Sequence, residues 1–194
     1  MVEAGELALR DIITIRQGEP AFNNVAGTVQ AAETDILKIR SIDGKNPACC
    51  FFIEASCECS IYHHRPYECR VLQCWNPDPL MAIYQRDRLT RAHLLAKVEG
   101  LPELVQDHQA RCDYGTISTL AHTIRREGDE SSAQQQLLEM IRFDQSLREV
   151  TMERSGHDER MMEFLFGRPL AETIRMFRLR LARKDQGVIL ETFI

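Results

Sequence analysis

Hydrophobic and polar positions follow two different periods along this chain, and the change between them predicts its organisation. Residues Glu6 to Asp11 suit a short helix, and the β-branched run Ile12-Ile13-Thr14-Ile15-Arg16 predicts a strand closed by Gly18-Glu19-Pro20. Asp35 to Ile42 predicts a second strand, with Leu37 and Ile39 on one face and Lys38 and Arg40 on the other. Asp43-Gly44 is a turn signal, and Ala48 to Ile53 returns as a third strand.

From Pro79 onward the period becomes helical. Met81 to Leu89 forms one helix; Thr90 suits the N-cap of the next, which runs to Gly100; Pro102 opens another, through His108 to about Arg111. Ile117 to Arg126 follows, then a polar break at Glu127-Gly128-Asp129-Glu130-Ser131-Ser132, a long helix from Ala133 to Val150, and a shorter one from Glu159 to Phe166. A final helix from Pro169 to Lys184 places Leu170, Ile174, Phe177 and Leu181 on one face and Arg175, Arg178, Arg180, Arg183 and Lys184 elsewhere. A basic amphipathic helix suits an acidic protein partner or a membrane surface, although a packed helix with a solvated face is commoner. The apolar tail, Gly187 to Ile194, is expected to dock on the body or on a second subunit.

The fold class expected is therefore α+β: a small antiparallel sheet in the N-terminal third, then a mainly helical remainder. Residues 1–78 form the first region and 79–194 a helical region packed on it, within one compact domain.

Composition narrows the function classes. The 194 residues are 44% apolar and 27% charged, ordinary values for a globular chain whose core does not require metal. A net charge of −5 argues against nucleic acid as the main partner, because phosphate contacts need a basic surface. No stretch approaches the ~20 apolar residues that span a bilayer, and the N-terminus lacks the pattern of a secretory signal, so the expected compartment is the cytoplasm.

The chemistry is concentrated between Cys49 and Trp75, CCFFIEASCECSIYHHRPYECRVLQCW, which holds six of the seven cysteines and the single tryptophan. Thiolates are soft donors for zinc, iron and iron–sulfur centres, so this density is a metal signal. An odd cysteine count and the absence of an export signal weigh against a disulfide scaffold. Cys50, Cys59, Cys69 and Cys74 are the candidate ligands. Cys49 and Cys57 are expected to be bystanders, since neighbours in an extended segment face opposite ways. By the same reasoning at most one of His63 and His64 reaches a shared site. Pro66 favours a helix start at Arg65-Pro66-Tyr67-Glu68-Cys69-Arg70, which places Cys69 in a first turn. Outside the stretch, His108 and Cys112 stand four residues apart on one helix face and either hold a metal or fill the core.

Cys50-Phe51-Phe52, Cys59-Ser60-Ile61-Tyr62 and Arg65-Pro66-x-x-Cys69-Arg70, extended by Cys74-Trp75, resemble the YkgJ-like cysteine-cluster family of zinc- or iron-chelating proteins. The resemblance covers about thirty residues and implies a metal ion as the partner, zinc or iron, or an iron–sulfur cluster, held by Cys50, Cys59, Cys69 and Cys74. Members usually open with a C-x2-C-x2-C-C box, whereas no cysteine precedes Cys49 here, so weak metal occupancy is expected. Flagellin lysine methylases resemble the same family, which offers a modifying enzyme as an alternative; a structural or interaction protein that has lost its metal is a third. No Gly-rich nucleotide loop, H-E-x-x-H or G-x-S-x-G motif supports the enzyme.

Overall fold

The computed structural model describes residues 7–43, 46–73, 75–84, 86–127, 132–184 and 187–193. Strand β1 (Ile12–Ile15) turns Ile12 and Thr14 inward with the period of two that its β-branched residues favour. It pairs antiparallel with β4 (Ile36–Ile39), from Ile12↔Ile39 to Ile15↔Ile36. Between them the chain makes a hairpin of β2 (Pro20–Asn23) and β3 (Thr28–Ala31). A third pair, β5 (Phe52–Ile53) with β6 (Glu58–Cys59), carries the cysteine stretch.

The helices that follow are α1 (Tyr67–Val71), α2 (Asp78–Ile83), α3 (Arg91–Leu95), α4 (Leu101–Arg111), α5 (Tyr114–Glu127), α6 (Ser132–Ser155), α7 (Glu159–Phe166) and α8 (Leu170–Thr173). Asp113 opens α5 by accepting from Thr116 N at 2.7 Å, and Asp158 opens α7 by accepting from Met161 N at 3.1 Å. The α+β architecture, small antiparallel pairs followed by a mainly helical remainder, is the one the sequence predicts.

Two apolar clusters form the core. One joins Ile117, Ala121 and Ile124 of α5 to Leu137 and Ile141 of α6, with Leu170, Ile174, Leu179 and Leu190 beneath them. The other joins Met162, Phe164, Leu165 and Phe166 of α7 to Ile12 and Leu95. The N-terminal pair β1–β4 is thus seated on the helical half through α7.

The C-terminal prediction needs correction. The helix stops at Thr173, a 3-10 turn covers Ile174–Phe177, and Arg178 adopts a left-handed φ of 61°. The chain then forms β7 (Leu179–Lys184), paired with β8 (Gly187–Thr192). Leu179 and Leu181 satisfy a period of two as well as the helical period, and the apolar tail supplies the strand partner that decides between them. Among the described residues the basic C-terminal helix expected to bind a protein partner is replaced by this strand pair, and the tail docks by pairing with β7. The sheet prediction was also too simple. Ala48 to Ile53 is not one strand but a bridge at Cys49, a turn, and the short β5, while the β2–β3 hairpin went unforeseen. Among the described residues, no helix is long and apolar enough to cross a membrane.

Candidate metal centre

The cysteine stretch is held together mainly by backbone hydrogen bonds. Ile42 N donates to Ala48 O at 2.8 Å and Cys50 N to Arg40 O at 3.0 Å, tying Cys49 and Cys50 to the chain leaving β4. Phe52 N donates to Cys49 O at 2.9 Å, closing a turn, and Ser60 N to Phe51 O at 2.8 Å extends the β5–β6 pair. Cys59 sits opposite Phe52 in that hairpin. Cys57 occupies its loop at a left-handed φ of 56°, exposed, with its thiol 3.6 Å from Glu54 O. A 3-10 turn at Tyr62–His64 exposes both histidines, and Arg65 lies over the Tyr62 ring at 3.9 Å. Pro66 then opens α1, with Cys69 on its surface.

Cys50, Cys59 and Cys69 therefore come from three separate pieces of chain, half-buried, half-buried and exposed respectively. Cys74 lies outside the described residues. Burial raises the Cys69 thiol pKa first, then Cys49, the Glu68 carboxylate and Cys59 in that order, against the Arg65 charge. Burial likewise pushes Cys50 up to about 11, with Cys49 the next cause. Cys49, expected with Cys57 to stand aside from the site, is exposed like Cys57, and its thiol is near enough to Cys50 and Cys69 to raise both. Cys49 to Phe52 is a turn, so strand alternation does not decide how Cys49 and Cys50 face.

Cys50, Cys59 and Cys69 do not meet as one donor set: among the described residues the group placed to hold a metal is His108, Cys112 and Asp144. Burial first, and neighbouring charge second, keep the Cys50 and Cys69 thiols protonated, so a thiophilic cation bound there would have to displace those protons.

The His108–Cys112 pair is joined by Asp144 from α6, and their donor atoms all lie within 4.8 Å of one another, fully buried. Asp144 is already satisfied: it accepts from His108 Nε2 at 2.7 Å, Arg148 Nε at 3.0 Å and Leu170 N at 2.9 Å. Burial pushes the Asp144 carboxyl up, but these bonds and the Arg148 charge outweigh it and hold it at about 2. Burial takes His108 down to about 4, so its neutral ring donates through Nε2. Burial also pushes the Cys112 thiol up to about 12. Arg16, fully buried, donates to Cys112 O at 3.0 Å and lies 4.4 Å from the centre of the Tyr114 ring. The Arg148 guanidinium on a saturated carboxylate, with the Arg16 charge also bearing on His108, opposes a further cation, so this group serves as a buried ion-pair network.

The network holds α7. Its C-terminal carbonyls at Met162, Phe164, Leu165 and Phe166 receive Arg148, Thr14, Arg91 and again Arg148. The sequence reading found His108 and Cys112 by their spacing but missed Asp144 and Arg148. The available signal was their place on the same helical stripe as Leu137 and Ile141, where charge is out of character.

The chain matches no family model, and neither a curated protein nor a solved structure matches it.

Proposed function

We propose that this protein binds a zinc or iron centre through the thiolates of Cys50, Cys59 and Cys69, with Cys49 beside them and Cys74 following α1. The reading is supported by electrostatic coupling of Cys49 with Cys50 and Cys69, and of Cys59 with Cys69, in a region where the chain has no core. From Glu33 to Thr90, no described residue is buried, although Cys49–Val71 folds through defined turns, a hairpin and a helix. Segments that cannot bury enough apolar surface are commonly fixed by metal or disulfides, and the described cysteines are free thiols. The resemblance of this stretch to a zinc- and iron-chelating family points the same way. When bound, the ion supplies the positive charge that the thiolates lack. The protein's part would be to draw three pieces of chain to the ion, with Arg65 and Arg70 anchored over Tyr62 and Tyr67 on either side of Cys69.

Anaerobic purification followed by elemental analysis and an absorption spectrum tests this reading. Near-stoichiometric zinc or iron that falls sharply in Cys59→Ser and Cys69→Ser variants is expected, with visible charge-transfer bands if the centre is iron–sulfur. Metal-free protein that takes up neither ion under reducing conditions, or uptake that both variants retain, would overturn it.

A further inference from the structure

The β2–β3 hairpin has no place in the metal reading, and its chemistry is unusual for this chain. Every residue of β3 is exposed, and among the described residues β3 pairs with β2 alone. Pro20 to Ala32 contains no ionisable side chain, although 27% of the whole chain is charged. Phe22 and Val29 stand opposite one another in register and are 58% and 67% exposed. A two-stranded ribbon with an exposed apolar pair is marginal by itself.

The ladder identifies the open edge. Ala32 N donates to Glu19 O at 2.9 Å, one step beyond the Pro20↔Ala31 pair. Antiparallel pairs alternate between bonded and non-bonded, so Ala21↔Gln30 and Asn23↔Thr28 are bonded pairs. The N–H and C=O groups of Val29 and Ala31 then face away from β2. On the other side of the ribbon Pro20 removes a donor and blunts the β2 edge, whereas Thr28–Ala31 has no lysine, proline or other device against pairing.

We propose that β3 is a self-association edge: two copies of this chain pair β3 to β3, antiparallel about a two-fold axis, with Val29 opposite its own counterpart. In this register the two Phe22–Val29 pairs join into one apolar row across a four-stranded sheet, and the outward groups of Val29 bond reciprocally. A second copy is the occupant that fits. The edge carries no charge to select an unlike partner and none to repel a like one, and its apolar row is completed by its own image. Four-residue edges make a small interface, so the dimer forms only at high protein concentration.

Sedimentation velocity over a loading series, with reductant and chelator present to exclude disulfide and metal-bridged pairs, tests the proposal. A concentration-dependent shift from monomer to dimer is expected. Val29→Lys, which places like charges opposite each other at an exposed position, should abolish the shift while leaving the circular dichroism spectrum and thermal midpoint unchanged. Ala31→Pro, which removes an outward N–H without touching the bonds to β2, should do the same if the lysine disturbs the hairpin. Val150→Lys, on the exposed face of α6, should leave the dimer intact. A monomer at every concentration, or association that survives both β3 variants, would refute it.

Discussion

Acid should weaken this protein in a window set by His108. The ring is fully buried, 4.9 Å from Phe166, with Nε2 bound to Asp144 and no partner for Nδ1 among the described residues. Burial lowers its pKa from 6.5 to about 4, with the Arg16 and Arg148 charges adding to the effect against the pull of Asp144. Above pH 6.5 the ring is neutral in both native and unfolded chains, and its contribution is complete. Below that value the unfolded chain takes up a proton that the native chain refuses until about pH 4, so stability falls as pH falls through this interval. At about 1.4 kcal/mol per pH unit the loss is roughly 3 kcal/mol, a large share of the ~5–15 kcal/mol that holds a domain folded. Urea unfolding at constant ionic strength, stepped from pH 7.5 to 4, measures it. A His108→Gln variant, whose amide can still donate to Asp144, should lose most of that slope. If wild type and variant show the same slope, or the wild type is flat across the interval, the buried neutral histidine is not the cause.

Three further outcomes follow from the same packing. Asp144→Ala strands both His108 and Arg148 in the interior and should cost about 3–5 kcal/mol by urea unfolding. Gly167 has φ 71°, and a Cβ there would stand 2.7 Å from Arg16 Cγ. Gly167→Ala should therefore lose more than the roughly 1–3 kcal/mol of backbone strain alone, read as a drop in thermal midpoint. Arg178 is exposed with φ 61° at the turn into β7, so Arg178→Gly relieves a left-handed residue and should stabilise by about 1 kcal/mol in the same assay.

The parts of the fold legible in the sequence are those fixed by local pattern. Ile12 to Ile15 declares a strand by β-branching, and the apolar spacing from Pro102 to Phe166 places four helices close to their observed bounds. What stayed hidden depends on contacts distant in sequence. Thr14 bonds Phe164 across 150 positions, and Arg91 reaches Leu165 O across 74. Read one at a time, Arg16, Glu19, Arg91, Asp144 and Arg148 look like surface residues. Arg91 and Arg148 are buried because the end of α7 must have its carbonyls satisfied, and arginines with long apolar stems can deliver donors there. Arg16 donates to Cys112 O, Glu19 accepts from Arg168, and Asp144 accepts from His108 and Arg148. The final strand pair was hidden for another reason: Leu170, Ile174, Phe177 and Leu181 fit a helix, and only β8 makes the strand the better solution for Leu181. At the candidate metal site, spacing singled out Cys50, Cys59 and Cys69, but how Cys49 stands to Cys50 depends on a turn that alternation arguments cannot see.

The two halves of this chain solve stability differently, and that division bears on what metal could do here. The helical half has its own apolar clusters and a buried polar network whose donors and acceptors largely answer one another, so it can fold without any ion. The cysteine region contributes almost nothing to either cluster; Phe51 alone packs on the edge of one. Its hydrogen bonds are mostly backbone bonds near water, which close turns but supply little net stability. A metal centre would then act locally. Its binding energy would fix Cys49 to Val71 relative to β4 without being needed by α4 to α8, and its loss would loosen that surface region while the core stays folded. Such a separation suits a site that gains and loses its ion, because the free energy of binding is not consumed in assembling the whole domain. It also leaves Trp75, 83% exposed just beyond the cluster, as a reporter whose surroundings should change with the metal and not with the core.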